Sequence, residues 1–457
     1  MNKVICLLAG PIAAGIVAAL VASSGHTFPV VFTAMIVTWC AVWWVLEPIP
    51  IAVTSLLPIA LFPMFGVLTA TQVGAAYGNK LVLLLMGGFM LSTAMERSGA
   101  HRRLALMMVQ LFGGNSAQGA NPKRVVFGFM AATALLSMWI SNAATTLMML
   151  PIAMAVLERS SNRRLPVCLL LGIAYAASIG GTGTPIGTPP NLIFIDNFKK
   201  IGGEVPSFTQ WAIWTWPIIA VMLPVTAFWL TRNLPTTESL VLPKVGHWRS
   251  EEKRTLAVFV VTALLWMTRS EPFGGWSDLL GIPDANDASV ALIAVIAMHL
   301  IPNGKGEMLM TWEDVSKIPW GILILCASGM CIAEAFRSTG ISEMVGQELG
   351  ALGTMSPLIV VGVTCLALTF LTEVTSNTAT ANLLLPILAL IPIADPKLVM
   401  IPATISASFA FMLPAATLPN AIIFGSDRIR ISQMVREGIV LNLLGVVIVT
   451  AMCYLLL

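Results

Sequence analysis

Apolar residues run along this chain in long blocks, not in the alternation of a half-buried strand or the one-sided stripe of a soluble helix. The blocks occupy residues 4–21, 30–46, 50–68, 81–95, 125–140, 143–157, 166–181, 211–231, 255–268, 288–301, 319–335, 357–371, 381–394, 399–424 and 438–457. A helix crosses a bilayer with about 20 apolar residues, so the longer blocks predict membrane spans. The shorter ones, and those interrupted by Pro and Gly, predict segments that enter the membrane without crossing it as simple helices. The first block follows Lys3 and runs into Ala22-Ser23-Ser24-Gly25, as a signal peptide would. It is longer than the usual h-region of about 7–15 residues, which predicts a retained span.

Charged loops decide which blocks cross. Lys123 and Arg124 precede residues 125–157, and Arg159, Arg163 and Arg164 follow them, so both ends carry the mark of the cytoplasmic side. That pattern predicts a re-entrant hairpin over about 123–164 with its tip near Ser141. A second hairpin is predicted over about 357–395, entered from outside, with Glu343 and Glu348 before it and Asp395 after it. Counting the remaining blocks as full crossings gives about eleven, with the N-terminus inside and the C-terminus outside. Lys and Arg then fall nineteen to six in favour of the inner face. The longest polar stretch, 231–254, is the expected cytoplasmic linker between a first unit, 1–230, and a second, 255–457.

Composition agrees. Hydrophobic residues make up 57% of 457 and charged ones 10%, with a mean hydropathy of +0.87; a soluble protein carries about 25% charge. A soluble enzyme is excluded, and the fold class is an all-α polytopic membrane protein. The net charge of +3 gives no reason to expect nucleic acid. Seven cysteines without a C-x-x-C pair, and four histidines without H-E-x-x-H, argue against a metal centre or disulfide framework. The cysteines read as small buried hydrophobes.

The chain also repeats itself. Ser141-Asn142-Ala143-Ala144-Thr145 leads to Leu150-Pro151-Ile152, and 235 residues later Ser376-Asn377-Thr378-Ala379-Thr380 leads to Leu385-Pro386-Ile387. Pro185-Ile186-Gly187-Thr188-Pro189-Pro190-Asn191 is answered, at an offset of 229, by Pro414-Ala415-Ala416-Thr417-Leu418-Pro419-Asn420. Residues 88–99 loosely match 329–340. Five predicted crossings separate the two hairpins, and an odd number gives the copies opposite orientations. Inverted repeats with interrupted segments at equivalent places are the signature of a secondary transporter whose site lies at the repeat interface. Helix packing by small polar residues is the plainer explanation, but packing does not require the same two motifs in both halves.

Helices broken at these motifs leave free N–H groups at the start of one half-helix and free C=O groups at the end of another. The N–H ends favour anions. The C=O groups, joined by Ser, Thr and Asn oxygens, suit alkali cations. No Lys, Arg or His occurs in 137–150, 180–191, 371–385 or 403–424. A dianion held there needs its charge balanced, and bound cations supply that balance. Glu373 is the one ionised group in these segments; it reads either as a cation-attracting residue or, with about twice the weight, as a structural group bonding backbone at the mouth of the hairpin. Glu47 reads as an interfacial helix-end residue, and the 13 Trp and 25 Met as belt and core. Gly180-Gly181-Thr182-Gly183-Thr184-Pro185 lacks the Gly-Lys-Ser/Thr ending of a phosphate loop, so nothing supports ATP-driven transport.

The doubled Ser-Asn tips, Thr372-Glu373-Val374, and Leu46-Glu47-Pro48-Ile49-Pro50-Ile51-Ala52-Val53-Thr54 resemble the divalent anion:sodium symporter family over nearly the whole chain. The resemblance implies a homodimer in the cytoplasmic (inner) membrane, each protomer an elevator with a fixed scaffold and a mobile transport part. It implies one Na⁺ site at Ser137, Ser141, Asn142 and the backbone near Gly187, and another at Thr372, Thr375, Asn377 and the backbone near Ala416. Substrate carboxylates would meet Ser141 and Asn142 on one side, Ser376, Asn377 and Thr378 on the other, with Thr188 and Thr417 lining the pocket. Two departures stand out: Ala143 where the family has Thr, and Leu418 where Pro commonly follows the last pocket Thr. The expected function is Na⁺-coupled uptake of C4 dicarboxylates such as succinate, malate or fumarate. Alternatives are an exchanger of dicarboxylates, citrate or 2-oxoglutarate, and a symporter of sulfate or tricarboxylates.

Overall fold

Proline and capping side chains set where the helices begin. Pro122, Pro189 and Pro357 each open a helix, where the missing N–H costs nothing. Asn79, Asn121, Ser141, Ser207, Asn286, Ser376 and Thr417 each accept a backbone N–H of the first turn they cap. The computed structural model describes residues 3–113, 120–158, 160, 162–235, 240, 246–270, 274–349 and 355–457. Its secondary structure is helical; among the described residues, β-type pairing is confined to two isolated antiparallel bridges.

Six helices are long and apolar enough to cross a membrane among the described residues: Lys3–Ser23, Phe28–Leu46, Ala70–Ser98 (two helices joined at Gly78-Asn79), Phe208–Thr231, Trp320–Thr339 and Ile431–Leu456. The other expected crossings are shorter or interrupted. Residues 50–68, expected to cross, form Ile51–Thr54 and Leu56–Met64 with Ser55 between them. At 1.5 Å per residue that pair rises only about 20 Å, against a hydrocarbon core of about 30 Å. Residues 399–424 fall into Lys397–Ala407 and Leu418–Phe424. Glu47 ends the helix Phe28–Leu46 in the left-handed conformation (φ 44°), a helix-end residue as expected.

Each stretch expected to be a hairpin holds two helices broken at the Ser-Asn motif: Pro122–Ser137 and Asn142–Leu157 are the arms in the first, Pro357–Leu371 and Asn377–Leu388 in the second. Each is followed by a broken helix: Leu165–Gly181 with Pro189–Lys200, and Lys397–Ala407 with Leu418–Phe424. The first broken helix is the core of the molecule. From residue 165 to 198 only Pro166 and Pro189 are not buried, and the buried residues include the polar Thr182, Thr184, Asn191, Asp196 and Asn197.

Packing then crosses the two halves. Leu165–Gly181 lies between both arms of the first hairpin, and Lys397–Ala407 between both arms of the second. Pro189–Lys200 packs on the inner arm of the second hairpin, and Leu418–Phe424 on the inner arm of the first. Each hairpin therefore touches the broken helix of its own half and the trailing half-helix of the other. The matching stretch 88–99 and 329–340 also has a common geometry: Gly99 (φ 76°) and Gly340 (φ 78°) end Lys80–Ser98 and Trp320–Thr339 in the left-handed region. Of the linker, Leu240 pairs both ways with Ala120 at 3.0 Å, at the foot of the first hairpin. Residues 236–239 and 241–245 lie outside the described residues.

Candidate functional site: two mirrored oxygen clusters

At the first tip, the helix stops at Ser137 and restarts at Asn142, with Ser141 capping the restart by accepting the Ala144 N–H at 3.3 Å. Ser137 Oγ lies 2.6 Å from Asn142 Oδ1 and 2.8 Å from the carbonyl oxygen of Ala177 on the adjacent broken helix. At the second tip, Ser376 accepts the Ala379 N–H at 3.2 Å. Thr372 Oγ1 there lies 2.8 Å from Asn377 Oδ1 and 2.8 Å from the carbonyl oxygen of Ala407. The two clusters are the same construction. A hydroxyl has one proton and faces two acceptors in each, so as the amides are oriented each cluster holds more lone pairs than donors. A small hard cation meets that condition, and unwound backbone in membrane proteins coordinates such ions.

The breaks close onto the tips. Thr184 Oγ1 donates to the Met138 carbonyl, tying the first break to the first tip. A Cβ on Gly181 would lie 2.5 Å from Asn142 Oδ1, and one on Gly187 only 2.4 Å from the Gly181 carbonyl oxygen and 3.0 Å from that of Met138. Glycine at both positions is what lets the tip and the break approach. Trp211 and Trp216 donate to the carbonyls of Thr182 and Gly183 at 2.9 and 3.0 Å. At the second break Glu373, 3% exposed, binds backbone: Oε1 accepts from the N–H of Phe411 (2.7 Å) and Met412 (2.8 Å) and from Asn442 Nδ2 (2.7 Å), and Oε2 from the Leu413 N–H (3.0 Å). The structural reading of Glu373 is the one these bonds support. Its counterpart in the first half is Met138.

Of the residues singled out in the sequence, the structure brings together Ser137 with Asn142, and Thr372 with Asn377. Ser141 and Ser376 are caps one residue away. Gly187 sits beside the Met138 and Gly181 carbonyls, while Ala416 donates its N–H to Leu413 O at 3.3 Å, as Gly187 does to Thr184 O at 3.3 Å. Thr188 and Thr417 stand in extended conformation (φ −146° and −141°) at the heads of the two trailing half-helices. Thr378 is buried on the first turn of the second hairpin's inner arm. Thr375 is not in its cluster; it donates to Leu371 O at 2.9 Å and pairs with Thr380 Oγ1 inside the hairpin. Sequence reasoning missed the carbonyls of Ala177 and Ala407, since any residue supplies a carbonyl. It also missed Thr184, Trp211 and Trp216, which brace the first break.

The citrate transporter family profile matches residues 41–395 of the chain. The protein belongs to this family. A protein of Staphylococcus saprophyticus named sodium-dependent dicarboxylate transporter SdcS is 36% identical over 93% of this chain and 86% of its own. Its namesake in Staphylococcus aureus is 37% identical over 93% and 85%. These matches bear out the resemblance to the divalent anion:sodium symporters. Among solved structures, the YdaH transporter of Alcanivorax borkumensis superposes with a TM-score of 0.55 at 13% identity, covering 86% of this chain and 88% of that one. The fold is thus that of a polytopic helical transporter.

Proposed function

We propose that the protein couples Na⁺ entry to uptake of C4 dicarboxylates such as succinate, malate or fumarate. The observation that carries this reading is the pair of oxygen-rich clusters in segments that contain no basic residue. One Na⁺ at each cluster places positive charge beside a dianion that no Lys, Arg or His of these segments can neutralise, and an unbalanced charge at such depth costs several kcal/mol. The first ion is held by Ser137, Asn142 and backbone near Gly187, with Ser141 at its edge. The second is held by Thr372, Asn377 and backbone near Ala416. Ser141, Asn142 and Thr188 face one end of the substrate; Ser376, Asn377, Thr378 and Thr417 face the other. The names of the SdcS relatives agree with both ion and cargo.

In this reading the protein works as an inner-membrane homodimer, with the hairpins and broken helices moving together and the N-terminus on the cytoplasmic face. The experiment is uptake of labelled succinate into proteoliposomes empty of substrate, with an inward Na⁺ gradient. Wild type should accumulate succinate only with external Na⁺, and Asn142→Ala or Asn377→Ala should abolish accumulation while the protein stays monodisperse. Normal uptake by either variant rejects the site, and a requirement for internal substrate rejects symport in favour of exchange.

A further inference from the structure

Two asparagines that belong to neither oxygen cluster brace the two breaks in the same way. Asn191, 0% exposed and on the first turn of Pro189–Lys200, donates through Nδ2 to Gly181 O at 3.1 Å and Thr184 O at 2.7 Å. Asn420, 0% exposed and on the first turn of Leu418–Phe424, donates through Nδ2 to Ala410 O and Leu413 O, both at 3.0 Å. Donors and acceptors all keep the offset of 229 residues. In each case the amide spends both hydrogens on carbonyls three residues apart along the break, tying that stretch to the first turn of the next half-helix. Both Oδ1 atoms are buried without a protein partner. A buried polar atom left without a partner is costly, so the two donated bonds are what the amide contributes at each position.

The carbonyls engaged are not arbitrary. Thr184 O, which takes the Asn191 amide, also takes the N–H of Gly187; Leu413 O, which takes the Asn420 amide, also takes the N–H of Ala416. Gly187 and Ala416 are the backbone positions at the two proposed ions. Gly181 O, the other Asn191 acceptor, is the atom Gly187 closes upon, and Gly181 itself abuts Asn142. We infer that Asn191 and Asn420 are positioning residues that set the cation sites by fixing the peptides of Gly187 and Ala416. This rests on the Na⁺-coupled reading above. Other braces differ between the halves: Glu373 gathers the N–H groups of the second break, and Met138 stands in its place in the first. The asparagine is the brace the two breaks share.

Aspartate is nearly isosteric with asparagine but puts an acceptor oxygen where Nδ2 donated to two carbonyls, so it separates donation from packing. Asn191→Asp and Asn420→Asp should each raise the Na⁺ concentration for half-maximal succinate uptake at least tenfold and remove most of the thermal stabilisation that Na⁺ gives the purified full-length protein. Lowering the pH should restore part of the Na⁺ affinity, because a protonated carboxyl regains one donor. Asn191→Ser and Asn420→Ser keep a hydroxyl donor and should be affected less. Aspartate variants with a half-maximal Na⁺ concentration within twofold of wild type overturn the inference. Should the aspartate variants not yield monodisperse protein, serine variants indistinguishable from wild type overturn it on the same measurement. Wild-type protein without Na⁺-dependent uptake would overturn the coupling reading itself, and this inference with it.

Discussion

Replacing Gly187 by alanine strikes the candidate site where it is tightest. The new methyl would stand 2.4 Å from Gly181 O and 3.0 Å from Met138 O, both backbone atoms of the break and the tip. A carbon and a carbonyl oxygen settle at about 3.3 Å or more, so the break must open by roughly 0.9 Å. Overpacking of this kind costs about 1–3 kcal/mol. Borne by the ion-loaded conformation, that cost converts at 1.4 kcal/mol per factor of ten to a rise of about five- to 150-fold in the half-maximal Na⁺ concentration. The second half supplies the control. Ala416 occupies the equivalent position and already carries a methyl, 4% exposed. Ala416→Gly removes one buried carbon and adds backbone freedom, about 1 kcal/mol of stability in all, with Na⁺ dependence expected within about threefold of wild type. The assay is the Na⁺ titration of succinate uptake in proteoliposomes. Wild-type Na⁺ dependence in Gly187→Ala, or equal damage from Ala416→Gly, refutes the close-approach argument.

Two further substitutions probe the differences between the halves. Glu373→Gln leaves the N–H groups of the second break with a poorer acceptor, and hydrogen bonds to a charged group are worth about 1.5–3 kcal/mol each. A clear fall in thermal stability is expected, with Met138→Leu nearly neutral; equal melting temperatures for Glu373→Gln and wild type would show that the carboxylate does not hold the turn. Ala143→Thr restores at the first tip the hydroxyl that Thr378 carries at the second. One added hydrogen bond, about 0.5–1.5 kcal/mol, should lower the KM for succinate by about two- to tenfold, and an unchanged KM removes position 143 from the substrate's surroundings.

How far the chain could be read in advance depended on the kind of interaction. Blocks of apolar residues and scarce charge determined a polytopic helical membrane protein, because burial of apolar surface in lipid depends on composition and length alone. Flanking charges such as Lys123, Arg124 and Asp395 marked the interrupted segments, and the Ser-Asn pairs at Ser141 and Ser376 marked their tips, since a capping side chain acts through the backbone of its immediate neighbours. The paired Ser-Asn motifs located the oxygen clusters because repetition survives in sequence whatever the fold does with it. Tertiary structure decided the rest. That Glu373 gathers three backbone N–H groups depends on neighbours 38 to 40 residues away. The Ala177 and Ala407 carbonyls became part of the clusters only when a hairpin and a broken helix met. A backbone oxygen carries no residue code, so only the three-dimensional approach of chain to chain could single it out.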